Sequence, residues 1–171
     1  EISMNPKGHR PQEGQKRRIL LVDDHPMIRE GLLQLFAQDP DLELCAHTSS
    51  GHEALNLLDK LQPDLAIVDI SLPDVNGIQL IKDLKIRRPG MSILALSMHD
   101  ESVYAERAIR AGARGYIMKG EPAEKVLEGI RRVLAGEVYL SAKVASDVLS
   151  RLTGREPDKQ EGLLASLSDR E

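Results

Sequence analysis

Tryptophan is missing from this chain of 171 residues, and only four aromatic side chains are present: Phe36, Tyr104, Tyr116 and Tyr139. So small a supply excludes a platform on which single-stranded bases stack in succession. The single cysteine, Cys45, excludes an internal disulfide framework and a zinc site built on thiolates, and it points to a reducing compartment. No apolar run approaches the ~20 residues of a membrane span. The longest are short, such as Ile19-Leu20-Leu21-Val22 and Leu65-Ala66-Ile67-Val68. The polar N-terminus has no apolar stretch of the kind that directs secretion, which predicts a cytoplasmic location and no membrane partner. Beyond the N-terminus anions outnumber cations. Residues 1–18 hold five of them against Glu1 and Glu13, a net of +3, while the whole chain carries −4, so the remaining 153 residues sum to −7. A body of that sign does not offer a surface to duplex DNA.

What is present is an ordinary globular mixture, 41% hydrophobic and 29% charged, long enough for one domain with something appended. Residues 1–16 have no hydrophobic period and read as a flexible head. From Arg17 a rhythm begins in which a short apolar run is followed by a stretch of helical period. The runs are 19–22, 42–47, 65–69, 92–97 and 115–118; the amphipathic stretches are 26–38, 51–61, 76–87, 101–111 and 122–135. Runs that are apolar throughout belong in a parallel sheet covered on both faces. The predicted fold is therefore α/β, a (βα)5 doubly wound parallel sheet of flavodoxin-like (CheY-like) strand order 2-1-3-4-5. Pro26 suits a first helical turn after an Asp24 cap, and Gly112 and Gly136 suit helix ends. Cys45 within an apolar strand predicts core packing. Residues 142–152 gather Val144, Ala145, Val148, Leu149 and Leu152 on one helical face, so a C-terminal helix follows the last βα unit.

In such a sheet, ligands sit beyond the carboxyl ends of the strands at the point where strand order reverses. The residues delivered there are Asp23 and Asp24 after the first run, Asp69 ending the third, Ser97 ending the fourth and Lys119 after the fifth. Three carboxylates that close together need a cation. Oxygen ligands alone indicate a hard ion, and Mg2+ suits carboxylates shared with water and a phosphate. A free carboxylate beside a cation, an ammonium and a hydroxyl is a set of parts for phosphoryl transfer. Alternatives stand beside this: Asp24 can be no more than a helix cap, and Asp69 with Lys119 no more than a structural ion pair. His25 reads as a helix-entry residue rather than a ligand or base, His99 as either a tuning residue or a solvated loop residue, and His47 and His52 have no partner at ligand spacing.

These residues resemble a family. Segment 17–136 is similar to the receiver domain of two-component response regulators. The likeness is carried by Asp23-Asp24, by Asp69-Ile-Ser-Leu-Pro73-Asp-Val-Asn-Gly77, by Ser97 and by Gly115-Tyr-Ile-Met-Lys119. Asp23-Asp-His-Pro-Met-Ile-Arg-Glu-Gly31 and Ala111-Gly-Ala-Arg-Gly-Tyr-Ile-Met-Lys119 resemble its NarL/FixJ branch, whose output is a LuxR-type helix-turn-helix. The resemblance implies that Asp69 is the phosphoacceptor, served by a sensor histidine kinase. It implies a Mg2+ site of Asp23, Asp24, Asp69 and the main-chain carbonyl of Ser71. Lys119 and Ser97 would hold the phosphoryl oxygens, and Tyr116 would follow Ser97 inward as the switch aromatic. Such a protein is not an enzyme on other substrates, although it promotes its own phosphorylation and dephosphorylation. Gly120 departs from the proline that many receivers carry there, so the isomer of the Lys119–Gly120 bond is left open.

Residues 137–153 read as a linker helix, 154–166 as a flexible linker, and Leu167-Ser-Asp-Arg-Glu171 resembles the opening of the LuxR-type DNA-binding domain. That predicts a chain stopping at the entrance to an output domain, with DNA contacted only through that domain and a homodimer admitted on phosphorylation. The competing class is a Mg2+-dependent phosphohydrolase with an aspartate nucleophile. Its haloacid-dehalogenase form wants Asp-x-Asp after the first strand, which Asp23-Asp24-His25 does not supply. A flavin or nucleotide binder would need a phosphate loop in the first turn, and none is there.

Overall fold

A computed structural model describes residues 14–98 and 102–154. The elements alternate as β1 (Arg17–Val22), α1 (Pro26–Ala37), β2 (Leu42–Thr48), α2 (Gly51–Leu61), β3 (Leu65–Asp69), α3 (Gly77–Arg87), β4 (Ser92–Ser97), α4 (Ser102–Ala111), β5 (Gly115–Met118), α5 (Ala123–Leu134) and α6 (Ala142–Leu152). All strand pairings are parallel, and the order is β2-β1-β3-β4-β5, as predicted.

Side-chain alternation divides the sheet into two cores. Leu20, Val22, Ala66, Val68, Ile93, Ala95 and Tyr116 face the layer of α2, α3 and α4, with Leu58, Leu84 and Ala108 among their neighbours. Ile19, Leu21, Leu65, Ile67, Leu94, Leu96 and Ile117 face Leu32 and Phe36 of α1 and Ile130 and Val133 of α5. Continuing the second set past the strand ends reaches Asp23, Asp69 and Lys119. Ser97 continues the first set.

Local signals set the helix boundaries. Ser50 accepts the Glu53 N–H at the start of α2, and Asn76 accepts from Ile78 and Gln79 at the start of α3. The N-cap of α1 is His25, with no side-chain cap bond, so Asp24 is not the cap that the sequence suggests. Gly112 takes the left-handed conformation that a helix end requires, at φ +121°.

The C-terminal helix docks. Val144 and Val148 of α6 are buried in the same cluster as Ala105, Ala108 and Tyr116, and Arg151 lies 3.6 Å from Glu106 of α4. Leu149 and Leu152 stay exposed, so the five-residue apolar face expected for α6 is split between two environments. Before α6, Tyr139 pairs with the open edge of β5: Tyr116 N–H donates to its carbonyl at 3.0 Å, and its own N–H donates to Arg114 O at 2.9 Å. Cys45 is half-buried rather than in the core, and its thiol donates to Ile19 O at 3.3 Å. Burial pushes the thiol pKa up, against smaller opposing effects of Arg18. Cys45 should therefore react with Ellman's reagent several times more slowly than glutathione at neutral pH, because the thiolate is the nucleophile. A rate matching glutathione would contradict that protection.

No described helix is long and apolar enough to cross a membrane. His99 and the tail segment 167–171 lie outside the described residues, as do most of the head and most of the linker after Gly154.

Candidate functional site

Because β1 and β3 are neighbours in register, with Val22 opposite Val68, Asp23 and Asp69 emerge side by side. Both side chains are fully buried, and Lys119, its side chain only 3% exposed, reaches between them from the loop after β5. Its Nζ donates to Asp69 Oδ2 at 2.8 Å and lies 3.0 Å from Asp23 Oδ2. The second distance is an ion-pair contact without hydrogen-bond alignment, and Asp23 Oδ2 is left buried with no hydrogen bond. Asp24 stands at the rim, about one-third exposed.

His25, set aside by the sequence as a helix-entry residue, is also inside this group. Its Nδ1 lies 3.0 Å from Asp23 Oδ1, 3.0 Å from Asp24 Oδ1 and 2.7 Å from Lys119 Nζ. One ring nitrogen cannot donate to a carboxylate and accept from an ammonium at once, so its tautomer selects one neighbour. One ligand atom from each of Asp23, Asp24, His25 and Asp69 falls within 4.8 Å of the others. Three carboxylates against one ammonium leave a charge of −2, and a buried oxygen without a hydrogen bond points into the group. A divalent cation with oxygen preference fits that donor set.

Ser97 is buried at the end of β4, one residue past Leu96, which pairs with Asp69. Ser71 follows β3 in a tight turn, its N–H donating to Asp69 Oδ1 at 2.8 Å. Tyr116 is 3% exposed and lies in the α4-side core with Val144 and Val148, apart from the acidic group. The Lys119–Gly120 bond is trans, as are all described peptide bonds. An open cavity of about 340 Å3 adjoins the group on the side of Asp23, Asp24, His25 and Arg29, and neither Asp69 nor Lys119 lines it. A larger one, about 480 Å3 between β5, α5 and the turn into α6, is lined by the mixed charges of Glu121, Lys125, Glu128 and Arg132. It collects no comparable set of reactive groups.

Residues 19–150 match the response regulator receiver domain. The chain belongs to that family. This receiver is 34% identical over 134 residues to the transcriptional regulatory protein DegU of Brevibacillus brevis, covering 78% of the chain. It spans 57% of DegU's length. It is 35% identical over 157 residues to the transcriptional regulatory protein UhpA of Escherichia coli, covering 90% of the chain and 79% of UhpA. Among solved structures, a two-component response regulator of the LuxR family from an Aurantimonas species superposes with a TM-score of 0.74 at 31% identity. That match covers 81% of the receiver and 99% of the other chain. The branch suggested by the Asp-Asp-His-Pro and Gly-Tyr-Ile-Met-Lys motifs is thus the branch of the relatives.

Proposed function

We propose that this receiver is switched by phosphorylation of Asp69, with a sensor histidine kinase in the cytoplasm as donor. The observation that carries the reading is the Lys119 ammonium bridging two buried carboxylates beside a third, with a buried carboxylate oxygen left over. The Asp69 carboxylate oxygen attacks phosphorus, the bond from phosphorus to the kinase imidazole nitrogen breaks with its electron pair going to that nitrogen, and the ring, protonated on its other nitrogen, leaves as neutral imidazole. Asp23, Asp24, Asp69 and the Ser71 carbonyl would hold Mg2+, which neutralises charge on the transferring oxygens when bound. Lys119 neutralises a second oxygen, and Ser97 donates to a third. Tyr116 reports the change to the α4 side, where α6 is docked. Loss of the group follows when water attacks the acyl phosphate, so the protein promotes its own phosphorylation and dephosphorylation without turning over other substrates.

In the whole protein we assign 17–136 to the receiver, 137–153 to a linker helix, 154–166 to a linker and 167–171 to the start of a DNA-binding output domain. Control of transcription, DNA contact through that domain alone, and pairing of two receivers on phosphorylation belong to the same proposal. Its support is that DegU and UhpA are transcriptional regulators.

Incubation with acetyl phosphate and Mg2+ should add one phosphoryl mass to the intact chain, and peptide mapping should place it on Asp69. Asp69→Ala should take up none, and EDTA should prevent uptake by the native chain. Full incorporation into Asp69→Ala sinks the assignment. Sustained turnover of a phosphate ester would favour the phosphohydrolase instead.

A further inference from the structure

The loop from Ile70 to Asn76 carries the Ser71 carbonyl, and it is fastened at three points. At its start, Ser71 N–H donates to Asp69 Oδ1. At its end, Asn76 caps α3. Between them, Asp74 reaches across to the beginning of α2. Its Oδ2 accepts the Ser50 hydroxyl at 2.9 Å and the His52 N–H at 3.5 Å, and its Oδ1 accepts the Gly51 N–H at 3.2 Å. Val75 sits against the same turn, so close that a Cβ on Gly51 would come 2.3 Å from its Cγ2.

From Ser50 the connections run on to the first carboxylate. Ser50 N–H donates to Thr48 Oγ1 at 3.1 Å, and Thr48 Oγ1 donates to Glu53 at 2.6 Å. The Thr48 carbonyl accepts the Asp23 N–H at 3.0 Å. A continuous set of hydrogen bonds therefore joins the loop bearing Ser71 to the residue that follows β1. Each of those two segments would carry a ligand of the proposed cation. Asp74 belongs to neither ligand set, yet its bonds to Ser50, Gly51 and His52 tie one segment to the other through Ser50 and Thr48.

We infer that Asp74 is a positioning residue that sets the separation between the Asp23 carboxylate and the Ser71 carbonyl, and so tunes divalent-cation affinity. The inference rests on the cation site proposed above. Desolvation alone would raise the Asp74 carboxyl, but the Gly51, Ser50 and His52 donors outweigh it and hold its pKa below the ordinary value of 3.8. The clasp is therefore complete at neutral pH and opens only as pH falls through that lowered value.

The alternative is a plain helix cap that stabilises α2 and nothing else. Mg2+ titration calorimetry on the full chain, together with thermal melts in EDTA, separates the two. Asp74→Ala is expected to weaken Mg2+ binding about tenfold, the lower end of what losing an outer-shell partner costs a metal site. The Mg2+ concentration for half-maximal phosphorylation by acetyl phosphate should rise in step, while the rate at saturating Mg2+ stays near that of the native chain. Asp74→Asn keeps a carbonyl acceptor and should recover most of the affinity. Ser50→Ala removes one of the three donors and should weaken binding in the same direction by less, which keeps the test open if Asp74→Ala folds poorly. A lowered melting temperature with unchanged Mg2+ affinity in Ser50→Ala, and in Asp74→Ala where that variant folds, overturns the inference. Asp23→Asn is the separate control: if it binds Mg2+ as tightly as the native chain, the cation site itself is misassigned and the inference falls with it.

Discussion

Replacing Lys119 with methionine is expected to lower the unfolding temperature in EDTA by roughly 10 °C, and Mg2+ is expected to restore more of the loss than it adds to the native protein. Asp23 and Asp69 have fully buried side chains, and Lys119 is the cation within 3.0 Å of both. Methionine matches the lysine stem in length and shape but leaves two carboxylates facing each other without compensation. Removing one partner of a buried ion pair costs about 3–5 kcal/mol, far more than the pair itself contributes, because the remaining charge stays desolvated. For a chain of this size each kcal/mol moves the midpoint by about 2–4 °C.

The rescue follows from the same charges. In the native protein a divalent cation entering the group is attracted by three carboxylates and repelled by the ammonium. Without Lys119 the repulsion is gone and the attraction remains. Ligand at a hundred times its dissociation constant adds about 2.7 kcal/mol to whatever state binds it, so the melting curve in saturating Mg2+ should regain a substantial share of the lost stability. Calorimetric melts in EDTA and in Mg2+ test both halves. A variant that melts with the native chain in EDTA would falsify the claim that Lys119 compensates these carboxylates. Phosphorylation should remain poor even where stability returns, because one of the two groups proposed to hold the phosphoryl oxygens is absent.

The position of Lys119 was legible in the sequence, and the reason is general. Five apolar runs separated by helical stretches admit few parallel arrangements, and in any of them the residues just past the strands gather at one edge. Asp23, Asp69 and Lys119 could thus be brought together before any coordinate was known. His25 could not. Whether the residue after Asp24 turns its ring outward or back into the carboxylates depends on a rotamer at the entrance to α1, and no periodicity encodes that. The missed signal was chemical: an imidazole beside two acidic residues is a polar group with partners at hand.

The docking of α6 was half-legible for a similar reason. The apolar face was plain, but a face does not name its partner. Only the packing of Val144 and Val148 near the small residues Ala105 and Ala108 of α4 decides that this turn is buried while Leu149 and Leu152 are not. The Asp39–Arg131 pair, which fastens the loop before β2 to α5, leaves no pattern at all, since its members are 92 residues apart. Long-range pairs of this kind are set by where two surfaces meet.

The largest effect expected from a single added methyl group is at Gly77, in Gly77→Ala. A Cβ there would lie 2.3 Å from Ile70 Cα, 2.7 Å from Asp69 O and 2.7 Å from Ile70 C. Carbon atoms in ordinary contact sit at about 3.5–4.0 Å, so a gap of more than 1 Å must open. Every atom in the way is backbone, and it belongs to the residue proposed to take the phosphoryl group and the residue after it. Over-packing usually costs about 1–3 kcal/mol, and the upper end or beyond applies where no side chain can rotate aside. The functional loss should be larger still, because a displacement of about 1 Å at a reacting group can lower its rate a hundredfold. Gly51→Ala supplies the contrast. There the clash at 2.3 Å is with the tip of Val75, a side chain, and truncating it in the double variant Gly51→Ala/Val75→Ala should relieve the strain. No such partner exists for Gly77. Urea unfolding and acetyl phosphate uptake on the two single variants and the double variant decide the matter: Gly51→Ala should be repaired by the second substitution, whereas Gly77→Ala should lose both stability and phosphorylation. If Gly77→Ala accepts phosphate at the native rate, the close approach of α3 to the β3 carboxyl end does not position Asp69.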